Sequence, residues 1–179
     1  MFNRKKYEQD AVNLYRSTNA AILSTMSKKY EGYPFGSFIT YATDKSRTLF
    51  MYTSDIAQHT KNLKNDSKAC VTLFKLDTEY DKQNSSRLTL MGDLKKVPKD
   101  DLDDCQERFV KFLPESKKYS SMHYFKFYKL EISRVRWIGG FGDIAWINPK
   151  NWKDDSPKWS KNEKMMIDHM NDDHANVIQ

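Results

Sequence analysis

Three segments rich in β-formers, AAILSTM (20–26), FGSFITYA (35–42) and TLFMYTS (48–54), follow one another across short, turn-prone stretches containing EGYP and TDKSR. A parallel connection needs roughly a dozen residues or more, with its own helix, so neighbours this close must pair antiparallel. KACVTLFKL (68–76), RLTLMGDLKKV (87–97), YFKFYKLEI (124–132) and the pair RVRWIGG and DIAWI continue the pattern. Six or more short strands with few helices between them predict a mainly β fold of the α+β class, closed as a six-stranded antiparallel barrel with flanking helices.

The helices are secondary. Tyr7, Ala11, Leu14, Tyr15 and Thr18 recur at helical spacing, as do Ile56, His59, Thr60 and Leu63 after a capping Ser54. Pro98 suits the first turn of a helix that places Leu102, Cys105, Phe109 and Leu113 on one face. The barrel domain is expected over residues 1–147. The polar NPKNWKDDSPKW (148–159) reads as a linker, and Ser160 and Glu163 supply the S-x-x-E capping box of a C-terminal helical segment, 160–179.

With 179 residues the chain is expected to form one main domain. Cys70 and Cys105 lie in apolar patterns without metal spacing and read as small buried hydrophobes, which suits a reducing, cytoplasmic setting. The basic N-terminus leads into an amphipathic pattern, and no run approaches the ~18 apolar residues of a membrane helix. The net charge of +6 is spread over lysines interleaved with acids, so it predicts a solvated surface and no nucleic-acid partner. The sequence holds no Ser-His-Asp order, phosphate-binding G-x-x-x-x-G-K or cysteine-rich zinc spacing, and so gives no support to hydrolase, nucleotidase or zinc chemistry.

RVRWIGGFGDIAWI (134–147) places three of the six glycines within four positions. Gly140, Gly142 and Ala145 satisfy G-x-G-x-x-A, but the residues that follow read as a strand rather than a helix, which removes the dinucleotide-binding reading. Two readings stay open. The glycines form a tight barrel corner where a Cβ would clash, or a flat ligand or second subunit lies on bare backbone beside Trp137, Phe141 and Trp146.

GGFGDIAWI resembles the GFG-x-A segment of the HugZ-type branch of the pyridoxamine 5′-phosphate oxidase-like split-barrel superfamily. SDIAQHTKNL (54–63) is similar to that branch's S-x-x-A-x-H helix signature, RLTL (87–90) to its Arg-Leu strand, FKFYKL (125–130) to the strand before the glycines, and HMNDDHA (169–175) to the opening of a small helical domain often fused to such barrels. The resemblance implies a homodimer of split barrels with a small planar cofactor at the interface. It implies that Ser54, His59, Lys61, Arg87, Trp137, Gly139, Gly140, Phe141 and Gly142 hold that cofactor.

Flavin-binding relatives carry a Ser-Arg-Lys phosphate cluster where this chain has Ala57, Gln58 and His59, so haem is expected first and FMN second, with Lys61 and Arg87 left to meet a phosphate. The resemblance further implies a haem-axial histidine in the tail, His169 before His174. Those two residues stand about 140° apart on an ideal helix, and Asp172 or Asp173 is placed to orient the His169 ring. Tyr124, beside His123, stands where the haem-degrading members are associated with an acidic residue, so no catalytic residue is assigned. Bland alternatives remain: a solvated tail helix, a structural hydrogen bond for His59, a packing face for Met165, Met166 and Met170, and a non-catalytic adaptor that binds a protein partner.

Overall fold

A computed structural model of the protein describes residues 4–76, 79, 81–153 and 158–174. Helix α1 (Arg4–Ser17) is followed by β1 (Ala20–Met26), β2 (Pro34–Thr40), β3 (Ala42–Thr43) and β4 (Leu49–Ser54). Helix α2 (Gln58–Leu63), β5 (Lys68–Lys75), β6 (Ser86–Lys96) and α3 (Leu102–Phe112) come next, then β7 (Phe125–Ile138), β8 (Ile144–Ile147), α4 (Pro149–Trp152) and α5 (Glu163–Asp173). Every pairing among the described strands is antiparallel, in the order β2-β1-β5-β6-β7-β4-β3, with β8 added to β7.

The order explains the barrel. β2 and β3 are separated only by Tyr41, yet β2 pairs with β1 at one end of the sheet and β3 with β4 at the other. The segment from Pro34 to Thr43 is thus one bent strand shared by both edges, and with it the sheet curls into the six-stranded split barrel read from the sequence. β8 is an addition. The interior holds Leu23, Val71, Leu73, Leu88, Leu90 and Val135, all fully buried, so alternate residues along each strand face inward.

A bulge divides β7. The β6–β7 register slips between Met91 and Gly92, leaving Ser133 unmatched, and Ser133 Oγ donates to the Met91 carbonyl. Before the bulge β7 pairs with β4 through Leu130; after it, from Val135, it pairs with β8. The two short strands therefore occupy the same edge of β7, separated by a notch.

The expected linker begins later than position 148. Trp152 is 1% exposed and packs on Tyr15 at 5.3 Å between ring centroids, so α4 belongs to the barrel; residues 154–157 lie outside the described residues. Arg47 ties this corner together. Its Nη1 donates to Glu8 Oε1 and to the carbonyls of Asn151 and Trp152, and its own carbonyl accepts from Tyr15 Oη.

The predicted face of α3 is found: Cys105, Phe109 and Leu113 are buried in a second cluster with Phe50 and Phe127, and Leu102 packs against it. The cysteines part company. Burial pushes the Cys105 thiol up to about 12, whereas Cys70 is only half-buried and lies on the outside of β5, which corrects its reading as a core residue. In the tail, Ser160 forms no capping box. A 3₁₀ turn covers Lys158–Asn162, and Glu163 pairs instead with Lys45 of the β3–β4 turn.

Candidate functional site on the outer sheet face

The expected site residues fall into groups at opposite ends of the barrel. α2 is held at one end by Asn62, whose Nδ2 donates to Thr25 Oγ1 at 2.9 Å and whose Oδ1 accepts from Lys28 N at 3.0 Å and Gln58 Nε2 at 2.9 Å. Ser54 Oγ accepts from Ile56 N, opening the turn into α2. His59 Nε2 lies 2.6 Å from Thr53 Oγ1, and burial lowers its pKa, so the ring is a neutral structural partner at pH 7. Lys61 points to solvent.

Arg87 and the glycines lie at the other end. Thr25 pairs with Ala69, whereas Arg87 pairs with Phe74, so the ends are separated by the β5 stretch from Ala69 to Phe74, about 17 Å at 3.3–3.4 Å per residue. One chain alone does not bring Ser54, His59 and Lys61 to Arg87.

The glycine run is a turn built against Asn84. Phe141 N donates to Asn84 Oδ1 at 2.7 Å, Ser86 Oγ donates to the Gly139 carbonyl, and Gly139 N donates to the Asp143 carbonyl. A Cβ on Gly140 would stand 2.7 Å from Asn84 Oδ1, and the φ of 150° disfavours a side chain in any case. Gly142, at φ 90°, has open space around it and is required by conformation alone. The tight-corner reading accounts for both. Phe141 is fully exposed, whereas Trp137 is buried in the core and faces away from Arg87's side of the sheet, so the expected role for Trp137 beside a cofactor finds no geometric support.

What the sequence reading missed is the face to which Arg87 belongs. Alternation along the strands turns Phe38 on β2, Ile22 on β1, Phe74 on β5, Met91 on β6 and Ile144 and Trp146 on β8 outward. All are substantially exposed, with Phe38 at 69%. Arg134 and Arg136 on β7 share this face, and the Arg136 guanidinium stacks over the Trp146 ring at 5.0 Å. Thr72, Thr89 and the arginines stand between these apolar side chains, so the face is mixed, and its exposed apolar area makes it the candidate binding surface. The alternation in RVRW was the available signal, but only the pairing shows that Arg87 stands on the same side.

The tail histidines are closer than an ideal helix allows. α5 ends at Asp173, and His174 leaves helical geometry at φ −126°, which brings the two imidazole centroids to 5.1 Å and corrects the expected 140° separation. His169 Nδ1 bonds Asp173 Oδ2 at 2.6 Å. Residues 164–174 are all exposed. Among the described residues no group of three His, Cys, Asp or Glu side chains is arranged to hold a metal ion, and no helix is long and apolar enough to cross a membrane.

The family pattern described as CREG, beta-barrel matches residues 3–154. The chain belongs to the CREG β-barrel family. Over 159 residues, 86% of this chain, it is 30% identical to the protein named Non-canonical heme oxygenase HOZ, chloroplastic, of Arabidopsis thaliana, of which it spans 48%. The solved heme binding protein from Mycobacterium smegmatis superposes with a TM-score of 0.74 at 27% identity, covering 82% of this chain and 59% of that one. A Clostridium acetobutylicum protein of the pyridoxinephosphate oxidase family shows the same fold at a TM-score of 0.64 and 12% identity, covering 83% and 98%. The split barrel and the kinship with HugZ-type proteins expected from the motifs are both found, and the chain spans about half to three-fifths of the first two relatives' length.

Proposed function

We propose that this CREG-family barrel binds haem as a homodimer, with the cofactor held on the outer sheet face between two copies. The observation that carries the reading is the composition of that face: exposed Ile22, Phe74, Ile144 and Trp146 lie in one surface with Arg87, Arg134 and Arg136. A porphyrin is flat and apolar and bears two carboxylates at one edge, so it asks for an apolar wall and cations at the rim. The relatives that are haem oxygenases or haem-binding proteins by name support the same choice. On this reading a second copy would bring its own α2 to the glycine turn of the first, since within one chain the two lie at opposite ends of β5.

FMN ranks second. Its phosphate needs a concentrated cation and amide site, and of the two exposed lysines at α2, Lys61 and Lys64, the second is paired with Asp55 at 2.8 Å. The tail carries the axial candidates, with His169 ahead of His174 because Asp173 holds its Nδ1 and leaves Nε2 for a ligand. The two unpaired cysteines agree with a cytoplasmic setting. The role is haem utilisation through binding, and no residue of the face is assigned a chemical step.

Titration of purified protein with hemin and with FMN, followed by absorption and by light scattering, tests the reading. A Soret band that saturates at a fixed stoichiometry, on a species of twice the 21.2 kDa chain mass, is expected. A flavin band that survives dialysis with no Soret band reverses the order. Binding of neither leaves the adaptor reading, and a monomer at all concentrations removes the interface site.

A further inference from the structure

The geometry points to a soft-metal site on α5, a copper(I) ion held by the imidazoles of His169 and His174 and the thioethers of Met166 and Met170. An axial haem ligand uses one imidazole and this site uses both, so it stands apart from the haem reading. The segment MMIDHMNDDH (165–174) carries three methionines and two histidines. α5 buries no residue, so the packing face expected of Met165, Met166 and Met170 is not formed among the described residues, and the thioethers are open to solvent.

The histidine pair has the spacing of a chelate. Two imidazoles that bind one ion at about 2.0–2.1 Å, with a near-tetrahedral angle between them, have ring centroids roughly 5 Å apart. Those of His169 and His174 are 5.1 Å apart, with planes at 87°. Asp173 Oδ2 takes His169 Nδ1 at 2.6 Å, which fixes the ring and leaves Nε2 for a ligand, as carboxylates behind metal-bound histidines do. His174 leaves helical geometry, but its N–H still donates to the Met170 carbonyl at 3.2 Å, so it stands one turn beyond Met170.

The thioethers decide which ion. Met166 precedes His169 by three residues and Met170 by four, spacings that set Cβ atoms about 5–6 Å apart on one helix face. At about 100° per residue both methionines lie on the His174 side of His169, whereas Met165 lies on the other. Three rotatable bonds let either Sδ reach toward the two imidazoles. Among the described residues no group of three His, Cys, Asp or Glu side chains is arranged to hold a metal, so zinc(II), which takes nitrogen, oxygen and thiolate donors, lacks a full set. A thioether is a soft donor that selects copper(I), and imidazole suits copper as well.

Copper(I), supplied anaerobically under a reductant and titrated against the chromophoric chelator bicinchoninate, tests the site. The full chain is used in a Cys70→Ser background, which removes the half-buried thiol as a competing soft donor. One ion per chain is expected. His169→Ala, His174→Ala and the double variant M166L/M170L should each weaken binding about tenfold or more, since losing even an orienting partner costs that much. Met165→Leu is the control and should leave the affinity unchanged, with circular dichroism checking that every variant keeps its fold. X-ray absorption at the copper edge should show nitrogen and sulfur neighbours together. Zinc(II) is expected to bind more weakly and to ignore the methionine changes. Copper(I) affinity unmoved by His174→Ala or by M166L/M170L, or zinc bound as tightly as copper(I), overturns the site. Hemin titration of the same variants keeps the two readings apart. A His174→Ala protein that binds hemin normally and copper(I) poorly supports the copper site beside the haem reading, and one that binds both normally removes the copper site alone.

Discussion

Gly92 lies directly against the backbone of Glu131 across the bulge: a Cβ built on Gly92 would stand 2.8 Å from the Glu131 carbonyl carbon and nearer still to its oxygen. Neither backbone can yield without breaking the β6–β7 ladder. Gly92→Ala is therefore expected to cost about 3 kcal/mol by overpacking, read from the midpoint of urea unfolding. Gly36→Ala is the control, since a Cβ there meets only Ile22 Cγ2 at 4.0 Å; its midpoint should stay the same or rise.

Asn62 is fully buried and joins α2 to β1 and to the chain beyond it through Thr25 and Lys28. Replacing it with leucine strands the Thr25 hydroxyl and the Lys28 amide and should cost about 1–3 kcal/mol. Hydrogen exchange should show the loss concentrated in α2 and at Lys28, with β6 and β7 unchanged at equal global stability.

The half-buried, neutral state of His59 makes stability depend on pH. Its pKa in the fold is depressed below the unfolded value of ~6.5, so the unfolded chain binds a proton first and the fold loses stability as pH falls below about 6.5. Above that value this contribution is constant. Urea midpoints measured from pH 8 to 5 should decline at the acid end, and His59→Gln, which keeps a polar partner for Thr53, should flatten that decline. An imidazole titrating at or above 6.5 in the NMR spectrum of the folded protein contradicts the assignment.

For the tail, His169→Ala is expected to shift the Soret band and weaken hemin binding by about tenfold or more, and His174→Ala to do little. Asp173→Asn should fall between them, because it removes the carboxylate from His169 Nδ1 while keeping an oxygen acceptor. A wild-type spectrum in the double histidine variant removes the tail as ligand source and turns attention to His59 and His123.

The Cys105 thiol, pushed up to about 12 by burial, should resist alkylation at pH 8 in the folded protein. Half-buried Cys70 is expected to react first, and mass mapping of the modified peptide checks the order.

The local features were legible in the sequence. Alternation and turn residues marked each long strand, helical spacing marked the buried side of α3, and the glycines marked a corner as one of two open readings, because φ preference and side-chain periodicity act within a few residues. α2 shows where this ends. Its apolar pattern put Ile56 on the buried face, whereas Ile56 is 69% exposed and Asn62 is buried, since an amide is buried only where partners distant in sequence complete its hydrogen bonds. Trp152 was likewise read as part of a linker until Tyr15 and Arg47 enclosed it.

The outer face belongs wholly to the tertiary level. The sequence by itself determined that this chain makes an antiparallel barrel with a glycine run after an arginine-bearing strand, and left open whether that run is a corner or a ligand-bearing surface. That Arg87 shares a surface with Arg134 and Arg136, that no described carboxylate answers them, and that the Thr25 end, where α2 is held, lies about 17 Å along β5 from the Arg87 end were decided by pairing register. A register links residues some fifty positions apart, and a slip of one residue would turn every side chain of a strand to the other face.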